Sequence, residues 1–480
     1  MAAPDARYDE FQSPLITRYA GQQMRRLFSP RVRFETWRRL WIALAEAQRE
    51  LGLPVTTDQI AEMRRHAPDI NFERAEALEH DLRHDVMAHV RAFGEQCPKA
   101  RPIIHLGATS CDVTDNADLV ILREALGTLK ARLVTVMAAL ERFAAERRAL
   151  ACLGFTHYQP AQLVTVGKRA CLWLWDLALD FEAVEAARAG LRFRGIQGTT
   201  GTQASFLRLF DGDHGKVRRL DRLVAEKLGF DRVQPVTGQT YTRKADSAVM
   251  AALSGLAQSA HKFANDLRLL ANRKELEEPF EAGQVGSSAM AYKRNPMRAE
   301  RMTGLARFLM GLEPMAAATA AEQWLERTLD DSAARRLYLS EGFLAADAIL
   351  RLYQNIAQGL VVYPETIARH VREELPFMAT ENILMAAVKA GGDRQALHEK
   401  IRRHSQAAAQ RVKAEGGTND LIERLKGDPA FARVDIDAEL DPSRFIGRAP
   451  EQTDEFLAEH IRPILEANQS LIGTEAEIEV

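Results

Sequence analysis

A long helical repeat of apolar residues in the first third of the chain restricts the fold more than any other feature. Leucine and methionine recur at spacings of three and four, at Leu119, Leu122, Leu126, Leu129, Leu133, Met137 and Leu140. This spacing places the side chains on one face of a single helix that continues for several turns. Such a helix is unusually long for a globular protein, so the pattern predicts a bundle of long helices.

Other stretches repeat the same periodicity and end at Gly, Pro or polar clusters. We predict helices over residues 161–192, 244–274, 296–325 and 333–359. Near the start, Ser29 and Pro30 predict a helix N-cap, followed by a buried stripe at Phe34, Trp37, Trp41 and Leu44. Alternation typical of strands is scarce. The predicted fold is therefore all-α, with a central bundle of long helices.

The chain of 480 residues exceeds the size of one compact core, so several domains are expected. We predict three helical domains, at residues 1–110, 111–362 and 363–480. Pro98 and Gly107 interrupt the pattern before the first boundary, and the stretch 359–364 interrupts it at the second. Alanines at 316–318 and 320–321 allow close helix approach, either inside one chain or between subunits, and periodicity does not distinguish the two.

The balance of charge excludes a broadly basic surface. Lys and Arg total 64 against 66 Asp and Glu, a formal net charge of -2, so no global field favours a nucleic-acid backbone. No uncharged apolar run reaches the roughly 18 residues of a membrane span, and the start of the chain has no apolar stretch typical of a secretory signal. We expect a cytoplasmic protein without nucleic-acid or membrane partners.

Cysteine and histidine spacing does not predict a metal site. The four cysteines lack the paired spacing of metal ligands, and we interpret them as reduced thiols. His80 and His84 are four residues apart beside Asp81 and Asp85, but two such ligands form half of a tetrahedral site and no third ligand is indicated. We therefore expect no metal.

The strongest local signal for chemistry is a loop at 286–296 with the sequence GSSAMAYKRNP. Two serines, Ser287 and Ser288, precede Lys293, and a helix is predicted to begin at Pro296. One cation about 4 Å from a developing anion contributes roughly 4 kcal/mol at an effective dielectric constant near 20. The segment fits either an anion pocket with an activated serine or an ordinary surface loop.

Two further polar groups allow both a functional and a structural interpretation. His157 follows Thr156 among aromatic neighbours, and its imidazole suits either proton transfer near pH 7 or a hydrogen-bonded structural role. Thr109 and Ser110 precede the long helix, expected to begin near Asp118, where they suit either carboxylate binding or N-capping. The residue types alone leave these alternatives open.

Basic and hydroxyl residues gather late in the predicted central domain. Arg327, Ser332 and Arg336 lie within a short window, and the last two are one helical turn apart. They suit a phosphate, although close arginines usually mark a solvated helix face. The glycine-rich segment 195–201 lacks a preceding strand and the lysine of a phosphate-binding P-loop, which argues against nucleoside triphosphate chemistry.

Ordered sequence blocks resemble the fumarase, aspartase and argininosuccinate lyase superfamily, and within it the adenylosuccinate lyase family. The blocks include RHDVMAH at 83–89, HLGATS at 105–110, GFTHYQPAQ at 154–162, TGQT at 237–240, YKRNP at 292–296 and ERTLDDS at 326–332. They occur in order over nearly the whole chain. One departure is Ala291, where the family usually has proline, so the rigidity of the loop is not implied by the resemblance.

The resemblance implies roles for residues at matching positions. The catalytic residues would be Ser287 as general base, His157 as general acid and Lys293 as a stabiliser of developing charge. Residues that would bind substrate are Arg18, Tyr19, Arg83, His84, Asp85, Thr109, Ser110, Thr156, Gln239, Asn295, Arg301, Arg327, Ser332 and Arg336. The choice of Ser287 over Ser288 depends on the resemblance alone. The resemblance to the family implies no cofactor.

The implied activity is elimination of fumarate from adenylosuccinate to give AMP, and from the succinyl-carboxamide ribotide SAICAR to give AICAR. The resemblance also implies a homotetramer with a tetrameric helical core, in which each active site uses residues of three chains. The alternatives are another fumarate-releasing lyase such as argininosuccinate lyase, a catalytically silent helical scaffold, and a nucleotide-binding regulator.

Overall fold

The computed structural model of the chain describes residues 9–281, 283–284, 289–290 and 292–473. It confirms the all-α prediction.

The helices of the first region, which follow a π-helical turn at Leu15–Tyr19, are α1 (Gln22–Leu27), α2 (Pro30–Glu50), α3 (Thr57–His66), α4 (Phe72–Leu82) and α5 (Asp85–Gln96). The next are α6 (Ser110–Glu146), α7 (Val166–Gly190), α8 (Ala204–Leu209), α9 (His214–Lys227), α10 (Lys244–Asn272), α11 (Met297–Ala321) and α12 (Asp330–Gln358). The last are α13 (Pro364–Met378), α14 (Thr380–Lys389), α15 (Arg394–Ala414), α16 (Leu421–Lys426), α17 (Ala449–Phe456) and α18 (Arg462–Ala467).

Two small antiparallel strand pairs join these helices: β1 (Ala151–Thr156) with β2 (Gln159–Thr165), and β3 (Leu276–Glu277) with β4 (Val361–Val362). The predicted helix over 161–192 is therefore wrong at its start. Leu163 and Thr165 are buried while Val164 between them is less so, which is the two-residue alternation of a strand. The helix itself begins at Val166.

The long helix α6 begins at Ser110, and the predicted start near Asp118 is wrong. Thr109 is the N-cap residue, and Asp112 Oδ2 accepts a hydrogen bond from the Thr109 N–H at 2.8 Å. Asp112 thus completes a capping box with Thr109, and Asp112 and Asp115, both buried, also bind other segments of the chain. The predicted N-cap at Ser29 is confirmed, since its side chain accepts from the Val32 N–H.

Helices α6, α7, α10, α11 and α12 pack together as the central bundle. Phe263 of α10 stacks on Tyr353 of α12 with ring centroids 4.2 Å apart, and Arg335 of α12 binds Asp246 of α10, so these two helices run in parallel. Helix α6 shares their direction, whereas α7 and α11 run the opposite way. We call the end where α6, α10 and α12 begin the amino end, and the other the carboxyl end.

The apolar core follows the bundle, with a second cluster in the C-terminal region. Leu126, Leu253 and Ile349 are fully buried in the main core. The second cluster includes Ile383, Leu397, Leu421, Leu425 and Phe431. The domain boundaries after residues 110 and 362 stay a prediction. Within the described ranges, the structure contains no helix with the length and apolar character needed to cross a bilayer.

Candidate active site

A cavity of about 900 Å³ opens at the amino end of the bundle, where α4, α5, α6 and α12 meet. The residues predicted to bind substrate that line it are Arg83, His84, Asp85, Ser110, Gln239, Arg327, Ser332 and Arg336. They come from distant stretches of the sequence, and the fold brings them to one place. The volume lies within the usual range for small-ligand pockets.

A buried network of ion pairs forms the floor of this cavity and joins three helices. Arg243, just before α10, donates from its two Nη atoms to the carboxylate oxygens of Asp115 at 3.0 and 3.2 Å, and from Nε to Asp331 at 2.7 Å. These three side chains are almost completely buried. Buried charges are tolerated when each is paired and hydrogen-bonded, as here.

Two arginines keep the Asp115 carboxyl of the floor ionised. Burial alone would raise the pKa of the Asp115 carboxyl, but the charges of Arg243 and Arg335 outweigh it and lower that pKa below its usual value. Burial opposes the charge of Arg243 as well, yet Asp115 raises the pKa of that guanidinium. The Asp115 carboxylate and the Arg243 guanidinium therefore both remain charged at neutral pH.

The floor also fixes one of the arginines predicted to bind phosphate. Asp331 uses one oxygen for Arg243 and the other for Arg327, whose Nη1 lies 2.7 Å away. Arg336, one turn beyond Ser332, lies 3.4 Å from Asp85. Because α12 begins at Asp330, its amino terminus adds partial positive charge beside these residues. This corner of the cavity is suited to a phosphate.

His84 and Ser110 form the cavity wall next to this phosphate-suited corner. His84 is the N-cap of α5, where its Nδ1 accepts from the Met87 N–H at 3.4 Å. A neutral imidazole that accepts at Nδ1 carries its proton on Nε2, and that atom lies 3.4 Å from Ser110 Oγ. Arg83 precedes His84 with a φ of 55°, an unfavourable left-handed conformation that turns the chain into the cavity.

His157 lies far from this cavity, at the tip of the β1–β2 hairpin. Thr156 pairs with Gln159, so His157 and Tyr158 form a two-residue turn, with φ values of 52° and 57°. Turns of this kind favour glycine or asparagine, and strained backbone often accompanies function. The His157 and Thr156 side chains are exposed, so the imidazole is accessible from outside its own chain.

The contacts of the hairpin place it at the carboxyl end of the bundle. The Phe155 ring faces the guanidinium of Arg273, which follows the last turn of α10, at 4.8 Å. Arg243 precedes the first turn of the same helix and lines the cavity. A helix of 29 residues extends roughly 44 Å at about 1.5 Å per residue. One chain therefore holds His157 and its own cavity at opposite ends of α10.

The described part of the predicted loop 286–296, at residues 289–290 and 292–296, also lies at the carboxyl end. Ser287, Ser288 and Ala291 lie outside the described residues. Lys293 is exposed and Asn295 is half-buried, just before α11 begins. Arg294 lies 3.5 Å from Glu277 in β3. Within one chain, neither Lys293 nor Asn295 reaches the cavity.

The predicted Arg18–Tyr19 pair also lies away from the cavity. Arg301 of α11 faces the Tyr19 ring at 5.7 Å, which brings two predicted residues together. Arg351 of α12 donates to the Tyr19 carbonyl oxygen at 2.9 Å. Twenty residues of α12 separate Arg351 from Asp331, which is roughly 30 Å at about 1.5 Å per residue. Tyr19 and Arg327 therefore do not meet within one chain.

Comparison with known proteins identifies the family. Residues 17–311 match the family model described as "Lyase", and residues 376–456 match "Adenylosuccinate lyase C-terminus". The adenylosuccinate lyase of Saccharomyces cerevisiae is 54% identical over 98% of this chain and 98% of its own length. That of Schizosaccharomyces pombe is 53% identical over the same shares. The chain belongs to the adenylosuccinate lyase family.

Membership confirms the resemblance found in the sequence and makes the chain a carbon–nitrogen lyase. A crystal structure titled fumarate lyase from Mesorhizobium sp. BNC1 has the same fold, with a TM-score of 0.78 and 23% identity over 92% of this chain and 99% of that one. At this identity the likeness concerns the fold alone. Among the described residues of this adenylosuccinate lyase family member, no cluster of three or more potential metal ligands occurs.

Sequence analysis missed the floor of the cavity. Asp115 lies four residues before Leu119 and therefore on the same helical face as the leucine stripe of α6. A charged residue within an apolar stripe is a signal for a buried ion pair. The partner, Arg243, is 128 residues away, which no local pattern reveals. Asp331 and Arg335, four residues apart, belong to the same missed network.

Proposed function

We propose that this chain catalyses β-elimination of fumarate from adenylosuccinate, leaving AMP. The observation that carries the proposal is the cavity at the amino end, where arginines, hydroxyls and two helix amino termini converge. Adenylosuccinate carries a phosphate at one end and two carboxylates at the other, so it needs two groups of anion ligands within one pocket. The cavity contains both.

The phosphate would occupy the corner formed by Arg327, Ser332 and Arg336, close to the amino terminus of α12. Arg327 is already fixed by Asp331, which reduces the conformational entropy lost on binding. The Arg18–Tyr19 pair and Arg301 would join this corner from another chain. In this arrangement Arg83, His84 and Asp85 contact the nucleotide along the neighbouring wall.

The succinyl group would lie against the start of α6. Thr109, Ser110 and Gln239 are placed there, and Ser110 and Gln239 line the cavity. Backbone N–H groups and hydroxyls at a helix amino terminus suit a carboxylate, and they stabilise it further as the carbanion-like state develops charge. Lys293, Thr156 and Asn295 would complete this end from neighbouring chains.

The chemistry requires one base and one acid. Ser287, as alkoxide, would remove a proton from the CH2 group of the succinyl moiety, the carbon that is β to the nitrogen. The electron pair then forms the double bond of fumarate while the C–N bond breaks. His157 would deliver a proton to the departing purine nitrogen, a role suited to imidazole near neutral pH.

Shared active sites in a homotetramer would bring the two ends of the bundle together. The separation by the length of α10 supports this, because a substrate of nucleotide size cannot bridge it. Exposed apolar side chains on the long helices also support assembly. They are Leu172, Trp175, Leu179, Leu269, Phe308, Met315 and Leu337. Antiparallel packing of chains would place a carboxyl end beside a neighbour's amino end.

SAICAR would undergo the same elimination in the same cavity. It shares with adenylosuccinate the succinyl group, the scissile C–N bond and the ribose phosphate. The residues assigned to the two anionic ends would therefore contact both substrates, and the volume of about 900 Å³ leaves room for either base. Equal dependence of both reactions on Gln239 and Arg327 would support one shared site.

The decisive experiment mixes the purified protein with adenylosuccinate and follows the purine absorbance and the release of fumarate. AMP and fumarate in equal amounts support the proposal, whereas fumarate released only from argininosuccinate would favour the rival lyase. Binding without release would indicate a scaffold or regulator. Single-turnover measurements on Ser287→Ala, with Ser288→Ala as the matched control, test the base, and full chemistry in Ser287→Ala would exclude the assignment.

A further inference from the structure

The glycine-rich segment 195–201, to which sequence analysis gave no function, packs against the substrate-binding wall of the cavity. Gly195, Gly198 and Gly201 have φ values between +76° and +92°, so the segment folds as a tight loop. A Cβ on Gly201 would lie 1.9 Å from the carbonyl oxygen of Thr237. The loop therefore lies against the backbone just before Gln239 with no room for a side chain.

The same loop holds the Gln239 side chain. Gln239 Nε2 donates to the Thr199 carbonyl oxygen at 3.1 Å, and the Cys111 sulfur lies 3.8 Å from Gln239 Oε1. The Gln239 backbone N–H donates to the Glu326 carbonyl oxygen at 2.9 Å. A primary amide has two N–H donors, so binding to Thr199 fixes the plane of the amide and the direction of its second N–H.

A single buried guanidinium joins the loop to the segment that contains Gln239. Arg194 is fully buried, and its Nη2 donates to the carbonyl oxygens of Gly198 at 3.0 Å and Gly238 at 3.3 Å. Its Nη1 binds Asp112 and the Gly195 carbonyl oxygen. The planar fork of arginine makes such simultaneous contacts, which the single ammonium of lysine does not reproduce.

Asp112 extends this connection to the start of α6. Its Oδ1 accepts from the backbone N–H groups of Gln197 at 2.8 Å and Gly198 at 3.1 Å. Its Oδ2 accepts from the Thr109 N–H at 2.8 Å. The Arg194–Asp112 pair thus fixes the glycine-rich loop and Gln239 relative to Thr109 and the adjoining Ser110.

We propose that Arg194 is a positioning residue for the elimination reaction, acting through the glycine-rich loop to aim the Gln239 amide and Ser110 at one carboxylate of the succinyl group. This inference rests on the proposed function. Arg194 itself does not line the cavity among the described residues. The phosphate corner at Arg327 and Arg336 is held by different carboxylates, so a displaced loop weakens the dicarboxylate end and leaves the nucleotide end intact.

A matched pair of glycine variants tests the role of the loop. Gly201→Ala and Gly212→Ala both introduce a side chain at positive φ, but Gly212 has open space around the added Cβ. Gly201→Ala pushes the loop away from Thr237, and we expect kcat/KM for adenylosuccinate to fall about 10- to 100-fold. Gly212→Ala should keep the wild-type value. Equal values of kcat/KM for the two variants would overturn the proposal.

Arg194→Lys tests the guanidinium while keeping the charge that Asp112 requires. We expect weaker competitive inhibition by succinate and fumarate, with unchanged inhibition by AMP, because only the dicarboxylate end is displaced. A general folding defect would weaken all three inhibitors together and would overturn the positioning role. Addition of Gln239→Ala should make the Arg194→Lys effect on kcat/KM largely disappear, and full additivity would contradict the proposed route.

The outcome is separable from that of the proposed function. If the full-length wild-type protein releases no fumarate from adenylosuccinate, the proposed function fails. If it does so, and Arg194→Lys retains both wild-type kcat/KM and wild-type succinate inhibition, the inference alone fails. Should Gly201→Ala not fold, the inhibitor comparison on Arg194→Lys still decides the question.

Discussion

The two ends of the central bundle contain different parts of the proposed active site and are constructed differently. At the amino end, Arg243 is buried between Asp115 and Asp331, and the cavity walls are fixed by helix caps and ion pairs. At the carboxyl end, His157 lies on an exposed turn and Lys293 is exposed before α11. The amino end is ordered within one chain, whereas the carboxyl end presents its reactive side chains outward.

Under the proposed function, this difference separates substrate binding at the amino end from proton transfer at the carboxyl end. Protein side chains bind phosphate and carboxylate groups most strongly when they are held in place before the substrate arrives. A general acid needs access to the leaving nitrogen, and the exposed turn at the tip of the β1–β2 hairpin leaves the His157 imidazole accessible from outside its own chain. Assembly of chains would then complete a site whose binding half already exists in each chain.

Loss of the imidazole should produce the largest effect. We expect His157→Gln to lower kcat by about 10²- to 10⁴-fold, the usual contribution of general acid catalysis, with little change in KM. Steady-state kinetics with adenylosuccinate measures this. Tyr158→Phe, which alters the other residue of the same turn, serves as the control and should retain wild-type kcat. A wild-type kcat in His157→Gln would exclude His157 as the general acid.

Mixed assemblies test whether the two ends belong to different chains. His157→Gln damages only the carboxyl end, and Arg327→Gln damages only the amino end. If sites are shared, random hybrids of the two inactive chains should recover about a quarter of the wild-type rate, because some sites combine two intact halves. The measurement is fumarate release after denaturing and refolding the chains together. No recovery, with wild-type chains refolding normally, would contradict sharing.

Disruption of the cavity floor should affect stability. Arg243→Met leaves Asp115 buried without its hydrogen-bonded cation and leaves Asp331 paired with Arg327 alone, and breaking a buried pair costs about 3–5 kcal/mol. Denaturant unfolding monitored by circular dichroism tests this. Arg74→Met removes an exposed partner of Glu95 and should leave the unfolding midpoint nearly unchanged. Equal shifts of the midpoint for the two variants would show that the floor is not a rigid paired network.

The buried carboxyl of Asp180 provides a comparison that tests what the arginines do for Asp115. Asp180 of α7 is buried and forms no ion pair with an arginine among the described residues, and desolvation raises its pKa to about 7. In the unfolded chain it titrates near its ordinary pKa of about 3.9. The folded state therefore binds the extra proton between these values, and stability falls as the pH rises through that window. Asp115, whose pKa is lowered, behaves oppositely and loses its contribution as the pH falls.

We expect Asp180→Asn to remove this dependence. Between about pH 5 and pH 8, the wild-type protein should lose on the order of 2 kcal/mol more free energy of unfolding than the variant. Urea unfolding at the two pH values measures the difference. Parallel loss of stability in both proteins would show that Asp180 does not retain its proton in the folded state.

The fold was predictable because it depends on local patterns. The apolar stripe of α6 and the cap at Ser29 give helix positions without knowledge of tertiary contacts. The start of α7 was not predictable, since residues 161–165 have no distinct helical or strand pattern until they pair with β1. The start of α6 was misplaced because the apolar stripe begins only at Leu119, and the carboxylates of Asp112 and Asp115 before it bind distant segments that no local pattern reveals.

The candidate site was predictable only in part. The blocks around Ser110, Gln239 and Arg327 identify cavity residues, and the structure places them together. The sequence order contains no information on the distance between His157 and the cavity, which is set by the length and direction of α10. Nor does it show the Arg194–Asp112 connection, because its two residues are 82 positions apart and buried polar contacts have no periodic signature.

The length of α10 has a consequence for how the catalyst responds to dilution. With binding and proton transfer held at opposite ends of a rigid rod, a dissociated chain would retain affinity for nucleotide yet lack turnover. Specific activity would then decline as protein concentration falls below the dissociation constant of the assembly. If the chains assemble as proposed, compounds that separate the apolar surfaces between them would inactivate the protein without competing with its substrate.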